Sequence, residues 1–355
     1  MERKSADYYS EREILYTQKL RDLMDKLPPY AKDYFRAIEH TTGSRTRISY
    51  AYDLQVFFRF LLQNNPELSG QKTTDISLHD LNRLTGSDIE EYQEYLKYYQ
   101  SENGRQKNSA RSISRKMSSL RSFLNYFFKK GILTRNAAMQ ADMPKLHEKA
   151  IVHLEPDEVA ILLDSIENYE AMLNGQKRAY FQKTKQRDIA IITLLLGTGI
   201  RVSECVGLDV SDVNFRENSI RIIRKGGNEA ILYFGAEVET ALLDYISHSR
   251  ENLAAKAAPE QKNALFLSMQ RKRISVHAVE NLVEKYTKAF IPQKKITPHK
   301  LRSTYGTTLY QETGDIYLVA DVLGHSDVGT TKKHYAAIKE TQRRKAASVV
   351  KLRER

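Results

Sequence analysis

The sequence predicts a mainly α-helical protein with a small β-sheet, divided into two domains. Apolar residues recur at helical spacing along much of the chain. Two short apolar segments, Ser219 to Arg224 and Ala230 to Phe234, flank Gly226-Gly227, which is a hairpin pattern. With 355 residues, the chain exceeds what one hydrophobic core usually holds. A polar stretch at Pro144 to Ile151 marks a domain boundary.

The first part of the chain predicts a helical domain. A helix around Glu13 to Met24, followed by Pro28-Pro29, forms an extra N-terminal element within about residues 1–40. The next helix covers Ser44 to Leu62, and Ser87-Asp88-Ile89-Glu90 is interpreted as a capping box that opens a helix through Tyr99. The stripe that the Ser44 helix buries consists of Tyr50, Leu54, Phe57, Phe58 and Leu61.

A basic segment follows. No Asp or Glu lies between Asn103 and Ala141, whereas apolar residues recur there at helical spacing, which predicts an amphipathic helix ending near Gly131. Exposed helices usually mix both signs of charge, so the absence of acids favours a helix that follows a DNA backbone over an ordinary solvated face. The predicted DNA contacts of this domain are Arg45, Arg47, Arg111, Arg115, Lys116 and Arg121. For Arg45 and Arg47, a role as surface charges near a helix start is an equal alternative.

Composition limits the partners. The formal net charge of +12 indicates a polyanionic partner, either nucleic acid or an anionic membrane surface. The longest apolar stretch, Ile189 to Leu196, is far shorter than the ~20 residues that a membrane span needs, and Met1 to Leu20 lacks the apolar stretch of a signal peptide. The single Cys205 excludes an intrachain disulfide framework. We therefore expect a cytoplasmic protein that binds double-stranded DNA and no membrane.

The second part of the chain predicts helices that end or begin at candidate functional residues. Helices are expected at Asp157 to Ile166, after Pro156, and at Arg187 to Leu196. Gly197 and Gly199 suit a helix end and a tight turn, which would place Arg201 at the start of a new helix. His299 and Arg302 would share one helix face, with Thr297 as N-cap and Pro298 in the first turn.

Four patches in fixed order predict a site for phosphodiester chemistry. They contain Arg201, the pair His299 and Arg302, His325 in Leu323-Gly324-His325, and Tyr335. Two guanidinium groups and two histidines would neutralise a phosphodiester while the tyrosine attacks phosphorus. No carboxylate cluster accompanies these patches, so we predict no metal, and attack by a tyrosine needs no nucleotide cofactor. Taken alone, Arg201 would pair with Glu204 and Tyr335 would be one of 21 tyrosines; order and spacing favour the site.

From Arg201 to Tyr335 the chain resembles the tyrosine recombinase family, the integrase and Xer type. That family carries an arginine in G-x-R-x-S-E, a lysine on a β-hairpin, an H-x-L-R box, an L-G-H box and a tyrosine shortly after. The matching catalytic positions are Arg201, Lys225, His299, Arg302, His325 and Tyr335, with Glu204 as structural support. Thr46, Tyr50, Asp53 and Leu54 resemble the family's core-binding domain, although less specifically.

The resemblance implies a helical, SAM-like core-binding domain at residues 1–145, a linker at 146–153 and a mixed α+β catalytic domain at 154–337. Residues 338–355 would form a tail that docks on a neighbouring protomer through Ala346, Val349 and Val350. It also implies a 3′-phosphotyrosine intermediate, with Lys225, or the adjacent Arg224, protonating the leaving oxygen. A homotetramer would act on two duplexes, and the free protein would be a monomer or weak dimer.

Two other functions stay open at this point: DNA relaxation by a type IB topoisomerase, and DNA binding without catalysis. Within the recombinase interpretation, the biological role is either Xer-like chromosome dimer resolution or the integration and excision of a mobile element. The sequence favours a recombinase because all six catalytic positions carry the expected residue type and a separate helical domain precedes them.

Overall fold

The computed structural model of the chain describes residues 4–101, 104–146, 151–224, 227–324 and 329, with backbone alone at 4–7 and 101. The chain divides into two compact units, residues 8–148 and residues 149–355 together with 1–7. Lys225, His325, Tyr335 and the predicted tail lie outside the described residues. No helix in the described part of the chain is long and apolar enough to cross a membrane.

The unit at residues 8–148 is built around two long helices that carry its aromatic core. Phe57 and Phe58 from one helix and Phe123 and Phe127 from the other are fully buried. Such rings stabilise the core strongly because each removes a large apolar area from water. In chain order the elements are α1 (Lys4–Met24), α2 (Ala31–Ala37), α3 (Ser44–Asn64), α4 (Leu78–Arg83), α5 (Gly86–Lys97), β1 (Tyr98–Ser101), β2 (Gly104–Lys107) and α6 (Ala110–Lys129).

Helix predictions for this unit are confirmed where an apolar stripe defined them. Helix α3 begins at Ser44, and α6 ends at Lys129, just before Gly131. The predicted capping box at Ser87 is wrong by two positions. Thr85 is the N-cap of α5, and its backbone N–H donates to Asp88 Oδ2 at 2.7 Å while its side chain accepts from Asp88 N at 3.4 Å. A spacing of three residues is what this reciprocal bonding needs.

The prediction of an all-helical first domain is wrong at residues 98–107. Helix α5 ends at Lys97, and β1 pairs antiparallel with β2, with Tyr99 opposite Gln106. The Tyr99 ring stacks on Tyr95 with 5.1 Å between centroids, which fixes the start of β1 on the end of α5. The sequence pattern missed this hairpin because four-residue strands carry little periodicity.

The second unit combines helices with an antiparallel sheet of order β3-β4-β5. The predicted hairpin is confirmed, with Arg221 opposite Ile231. Helix α8 runs through the centre of the unit and buries Ile191, Leu194 and Leu195. The elements in chain order are α7 (Pro156–Glu167), α8 (Gly175–Thr198), α9 (Val202–Cys205), β3 (Val213–Asn214), β4 (Ser219–Ile223), β5 (Glu229–Tyr233), α10 (Ala236–Asp244), a π-helical turn (Tyr245–Arg250), α11 (Glu251–Ala254), α12 (Val276–Phe290), α13 (Pro298–Thr313) and α14 (Ile316–Leu323).

Two details of the second unit differ from the sequence prediction. Helix α8 begins at Gly175, earlier than the predicted Arg187, because its first half is polar and shows no apolar stripe. Helix α13 begins at Pro298 as predicted, and Thr297 is its N-cap residue, but the Thr297 side chain makes no capping hydrogen bond. The proline alone therefore marks this helix start, since its fixed φ suits the first helical position.

Candidate active site

A tight turn after α8 places the first candidate arginine. Helix α8 ends at Thr198, and Gly199 adopts a left-handed conformation with φ +61°. A Cβ at this position would lie 2.5 Å from Tyr305 Cδ1 and 3.0 Å from Leu323 Cδ2. Glycine is therefore required both for the backbone conformation and for the close packing of α13 and α14. The turn brings Arg201 to the N-cap of α9, as the sequence predicted.

Gly199→Ala is expected to lower the free energy of unfolding by about 3 kcal/mol, because left-handed strain adds to overpacking against Tyr305. Gly175→Ala is the matched control, since Gly175, the first residue of α8, has φ +52° and no described atom lies within 4 Å of an added Cβ. The control should lose only the strain, about 1 kcal/mol. Urea unfolding of both variants measures the difference, and equal losses would contradict the packing role of Gly199.

Arg201 is braced by Glu204. Its Nη1 donates to Glu204 Oε1 at 2.8 Å, and its backbone N–H donates to Oε2 at 3.0 Å. The Glu204 side chain is 5% exposed, whereas that of Arg201 is 36% exposed. The ion pair with Glu204, which the sequence offered as an alternative role for Arg201, is thus present. It holds the guanidinium from the protein side and leaves about a third of the side chain open to a ligand.

Arg302 is brought to the same place from α13. It is 5% exposed, and its Nη1 and Nη2 donate to the carbonyl oxygens of Gly199 and Leu323. Arg201 Nη2 donates to the carbonyls of Leu323, at 3.3 Å, and Gly324, at 3.0 Å. The two arginines therefore share the Leu323 carbonyl at the C-terminal end of α14. Carbonyls at a helix end carry partial negative charge, which favours cations there.

Of the remaining predicted catalytic residues, His299 lies within the described part of the chain. His299 is exposed on the first turn of α13, one turn before Arg302, so the predicted shared face is compatible with the helix. Lys225, His325 and Tyr335 lie outside the described residues. The segments that precede Lys225 and His325, ending at Arg224 and Gly324, are described.

Sequence reasoning missed a third guanidinium at this helix end. Arg224 Nη2 donates to the Val322 carbonyl at 2.9 Å and to that of Asp321 at 3.4 Å. The sequence drew attention to Arg224 only as a substitute for Lys225. Nothing in the sequence around Arg224 indicates that its partner is the Val322 carbonyl, about a hundred residues away, because such contacts depend on tertiary packing.

Two guanidinium groups that meet at one point, as Arg201 and Arg302 do, could together bind the oxygens of a phosphate group. Guanidinium groups match phosphate oxygens with two parallel N–H donors and keep their charge at any physiological pH. Two other potential nucleophiles of this unit, Cys205 and Tyr305, are held in their neutral forms. Burial raises the pKa of the Cys205 thiol to about 12, and burial also raises the pKa of Tyr305. Both groups therefore stay protonated near neutral pH.

The predicted DNA-contact residues of the unit at 8–148 fall into two groups: some are bound to partners inside the protein, and others are exposed on the surface. Arg115 binds buried Asp53 with both terminal nitrogens, Lys116 Nζ lies 3.2 Å from the same carboxylate, and Arg121 Nε donates to the Ala138 carbonyl at 2.8 Å. Lys116 is 11% exposed, whereas Arg115 is 47% exposed. Arg47 pairs with Glu39 at 2.8 Å and is 12% exposed, while Arg45 and Arg111 are exposed.

These intramolecular partners give several basic residues a structural function that the sequence interpretation did not include. Asp53 neutralises part of the charge of α6 and ties it to α3, and Arg121 supports the segment after α6. The basic segment itself contains no acid, but the carboxylate that compensates part of its charge, Asp53, comes from another helix. The DNA contacts themselves stay predictions.

Comparisons with known proteins agree with this architecture. The profile of the phage integrase family matches residues 153–342, and that of the phage integrase SAM-like domain matches residues 26–143. Tyrosine recombinase XerC of Caldanaerobacter subterraneus subsp. tengcongensis is 33% identical over 332 residues, covering 91% of this chain and 87% of that protein. Tyrosine recombinase XerS of Lactococcus lactis subsp. cremoris is 30% identical over 349 residues, covering 92% and 96%.

Solved structures show the same fold. XerH bound to a palindromic difH substrate in a post-cleavage complex has a TM-score of 0.63 and 18% identity, covering 89% of this chain and 83% of that chain. The Tn1549 transposon integrase in complex with circular intermediate DNA has a TM-score of 0.61 and 21% identity, covering 85% and 93%. At these identities the likeness concerns the fold.

The family profile and the sequence relatives define a tyrosine recombinase, an enzyme that cleaves and rejoins DNA strands. More narrowly, the chain belongs to the phage integrase family, and Xer recombinases are among its relatives at about 30% identity over most of its length. The fold class and the family resemblance predicted from the sequence are confirmed.

Proposed function

We propose that this recombinase acts site-specifically on double-stranded DNA, with Arg201, Lys225, His299, Arg302, His325 and Tyr335 assembled on one phosphodiester. The observation that carries the proposal is the shared Leu323 carbonyl, because it brings two arginines from separate elements to one point. His299 lies one helical turn from Arg302, and His325 directly follows the Leu323-Gly324 segment that both arginines contact.

In the proposed reaction, the Tyr335 hydroxyl gives up its proton to solvent as its oxygen attacks phosphorus, and the bond to the 5′ oxygen breaks. The products are a 3′-phosphotyrosine and a 5′ hydroxyl, which takes its proton from Lys225. Arg201 and Arg302 stabilise the negative charge that develops on the non-bridging oxygens, with His299 and His325 as further hydrogen-bond partners. Attack by a 5′ hydroxyl from the partner duplex reverses the chemistry and rejoins the strands. The energy of the phosphodiester is kept in the phosphotyrosine, so ATP is not required.

The unit at residues 8–148 supplies the second DNA contact in this proposal. The net charge of +12 and the exposure of Arg45, Arg111 and Arg115 support phosphate contacts. Lys116 and Arg121 would act through the position of α6, since both have partners inside the protein. The XerH and Tn1549 integrase structures were solved with DNA, which supports the same kind of partner for this chain.

The proposed assembly is a homotetramer on two duplexes, since one tyrosine per chain cuts one strand and two duplexes present four strands. The free protein would be a monomer or weak dimer in the cytoplasm. Residues 338–355 would dock on a neighbouring protomer. Deletion of this tail should leave binding to one site unchanged and abolish the complex of two paired sites, which gel-shift measurements separate. The relatives named XerC and XerS favour the Xer-like alternative over mobile-element transfer.

Plasmid relaxation separates this function from that of a type IB topoisomerase. A site-specific recombinase should leave a supercoiled plasmid without its target site unchanged, because cleavage requires specific assembly. The same plasmid with a target site should be nicked or recombined. Agarose gels with matched plasmids measure both. Efficient relaxation of the plasmid without a site would contradict site-specific recombination and favour a topoisomerase.

A further inference from the structure

Arg224 joins two segments of the catalytic unit that are far apart in sequence. Its backbone lies at the base of the turn between β4 and β5, where its N–H donates to the Asn228 carbonyl at 2.8 Å and its carbonyl accepts from Gly227 N–H at 3.1 Å. Its side chain reaches the carbonyls of Asp321 and Val322 in the last turn of α14. One residue thus fixes the turn with its main chain and the helix end with its side chain.

The packing around this contact is close. A Cβ at Gly324 would lie 2.5 Å from Arg224 Cζ and 2.8 Å from Nε, so a larger residue here would displace the guanidinium from its position. Gly324 also has φ +58°, which glycine adopts without strain. Arg224 Nε is buried and has no hydrogen-bond partner among the residues that the structure describes. Burial of an unpaired donor is unfavourable, so the two carbonyl contacts must hold the side chain in place against that cost.

Each of the joined segments leads directly to a proposed catalytic residue. Lys225 follows Arg224, and His325 follows Gly324. The carbonyls of Leu323 and Gly324 are also those that Arg201 contacts, and Arg302 contacts the first of them. The end of α14 is therefore held by three guanidinium groups, of which Arg224 alone comes from the hairpin.

We propose that Arg224 is a positioning residue. It binds the C-terminal end of α14, where Arg201 and Arg302 also bind, and thereby fixes the position of the β4–β5 turn and of the proton donor that follows Arg224 in this turn. The inference rests on the proposed function, because it assumes Lys225 as the donor to the 5′ oxygen. In this proposal Arg224 acts through the position of Lys225 and not on the reacting atoms. A guanidinium suits this position because its planar fork bridges two adjacent carbonyls, which a lysine ammonium does not reproduce.

The first test is single-turnover cleavage of a nicked suicide substrate. Arg224→Ala should reduce the cleavage rate by about tenfold or more, as expected for a misplaced catalytic group, with little change in DNA affinity. Arg224→Lys should fall between Arg224→Ala and the unaltered protein. The matched control is Arg216→Ala, which removes an exposed arginine from the turn between β3 and β4 and should cleave at the unaltered rate. Cleavage by Arg224→Ala at the rate of the control would overturn the inference.

A substrate with sulfur in place of the bridging 5′ oxygen identifies which step Arg224 affects. A thiolate leaves without a proton, so a defect in placing the proton donor should largely disappear on this substrate. A general loss of folding or DNA binding would reduce cleavage of both substrates by the same factor. An equal defect on oxygen and sulfur substrates would therefore contradict the positioning role, even if Arg224→Ala is slow.

A double-variant cycle tests the contact with Gly324. Gly324→Ala should lose cleavage activity in the unaltered background through both backbone strain and collision with Arg224. In the Arg224→Ala background the collision is gone while the strain stays, so the same substitution should cost less. Equal costs in both backgrounds would contradict the contact.

Tyr335→Phe in the same assay separates the inference from the proposed function. If the unaltered protein forms a covalent complex and Tyr335→Phe does not, the proposed chemistry holds, and normal cleavage of both substrates by Arg224→Ala overturns the inference alone. Covalent attachment that survives Tyr335→Phe would overturn the proposed function and the inference with it.

Discussion

Tyr335→Phe is expected to abolish covalent attachment to DNA, with a loss of cleavage on the order of 10⁴ or more, since the variant lacks the attacking oxygen. DNA binding should be unchanged because the ring is kept and no charge is lost. A nicked suicide substrate, in which the released strand diffuses away, accumulates the covalent complex. Denaturing gels then show the complex as a band of reduced mobility, and native gels measure binding.

Tyr317→Phe is the control for this substitution. Tyr317 is 71% exposed on α14, so removal of its hydroxyl should change neither binding nor cleavage. A covalent band of normal intensity with Tyr335→Phe would show that another residue is the nucleophile and would reject the assignment of Tyr335.

Arg302→Ala and Arg201→Ala are each expected to cost about 3 kcal/mol of transition-state stabilisation, roughly a hundredfold in cleavage rate, which is typical of one lost donor to a developing oxyanion. Arg302→Ala should also reduce stability by about 1–3 kcal/mol, because it leaves the buried Gly199 and Leu323 carbonyls without that donor. Arg201→Ala should reduce stability as well, because it leaves the buried Glu204 carboxylate without its cation. Cleavage rates at saturating DNA and urea unfolding measure the two effects separately.

Arg250→Ala is a matched control for the loss of stability that is expected from Arg302→Ala. Arg250 is 8% exposed and donates to the carbonyls of Lys262, Ala264 and Leu265, so it resembles Arg302 in burial and in the kind of acceptor. Its loss should lower stability while the folded fraction cleaves at the normal rate. If Arg302→Ala behaves like Arg250→Ala, the arginine has a structural function only and its assigned catalytic role is wrong.

The elements that the sequence predicted correctly are those determined by residues that lie close together in the chain. The apolar stripe of α6 set its burial, Pro298 marked the start of α13, and Gly226-Gly227 with flanking apolar segments indicated the β4–β5 hairpin. Gly199 before Arg201 indicated the turn that ends α8. In each case the deciding interaction lies within a few residues, so spacing along the chain carries the information.

What the sequence did not predict depends on contacts between distant segments. The assignment of Lys116 to DNA did not anticipate its pairing with Asp53, which comes from another helix. The burial of Arg302 and its bond to the Leu323 carbonyl follow from the packing of α13 and α14. The bond from Arg224 to Val322 is of the same kind. Residue type and spacing identify which side chains take part in chemistry, whereas their acceptors inside the protein are set by tertiary packing.

The DNA target is accessible by experiment. Covalent complexes trapped inside cells that carry the native gene, then digested and sequenced, should give one recurrent site or a small set. A single chromosomal site would support dimer resolution, and sites at the ends of a mobile element would support integration and excision. The site obtained in this way also supplies the duplex for structural work.

The most direct test of the account is a structure of the Tyr335→Phe variant bound to its target duplex. The account predicts that the guanidinium groups of Arg201 and Arg302 both lie within hydrogen-bond distance of the non-bridging oxygens of one phosphate, with the ring of residue 335 facing that phosphorus opposite the 5′ oxygen. Contacts of the two arginines to different phosphates, or to none, would contradict it.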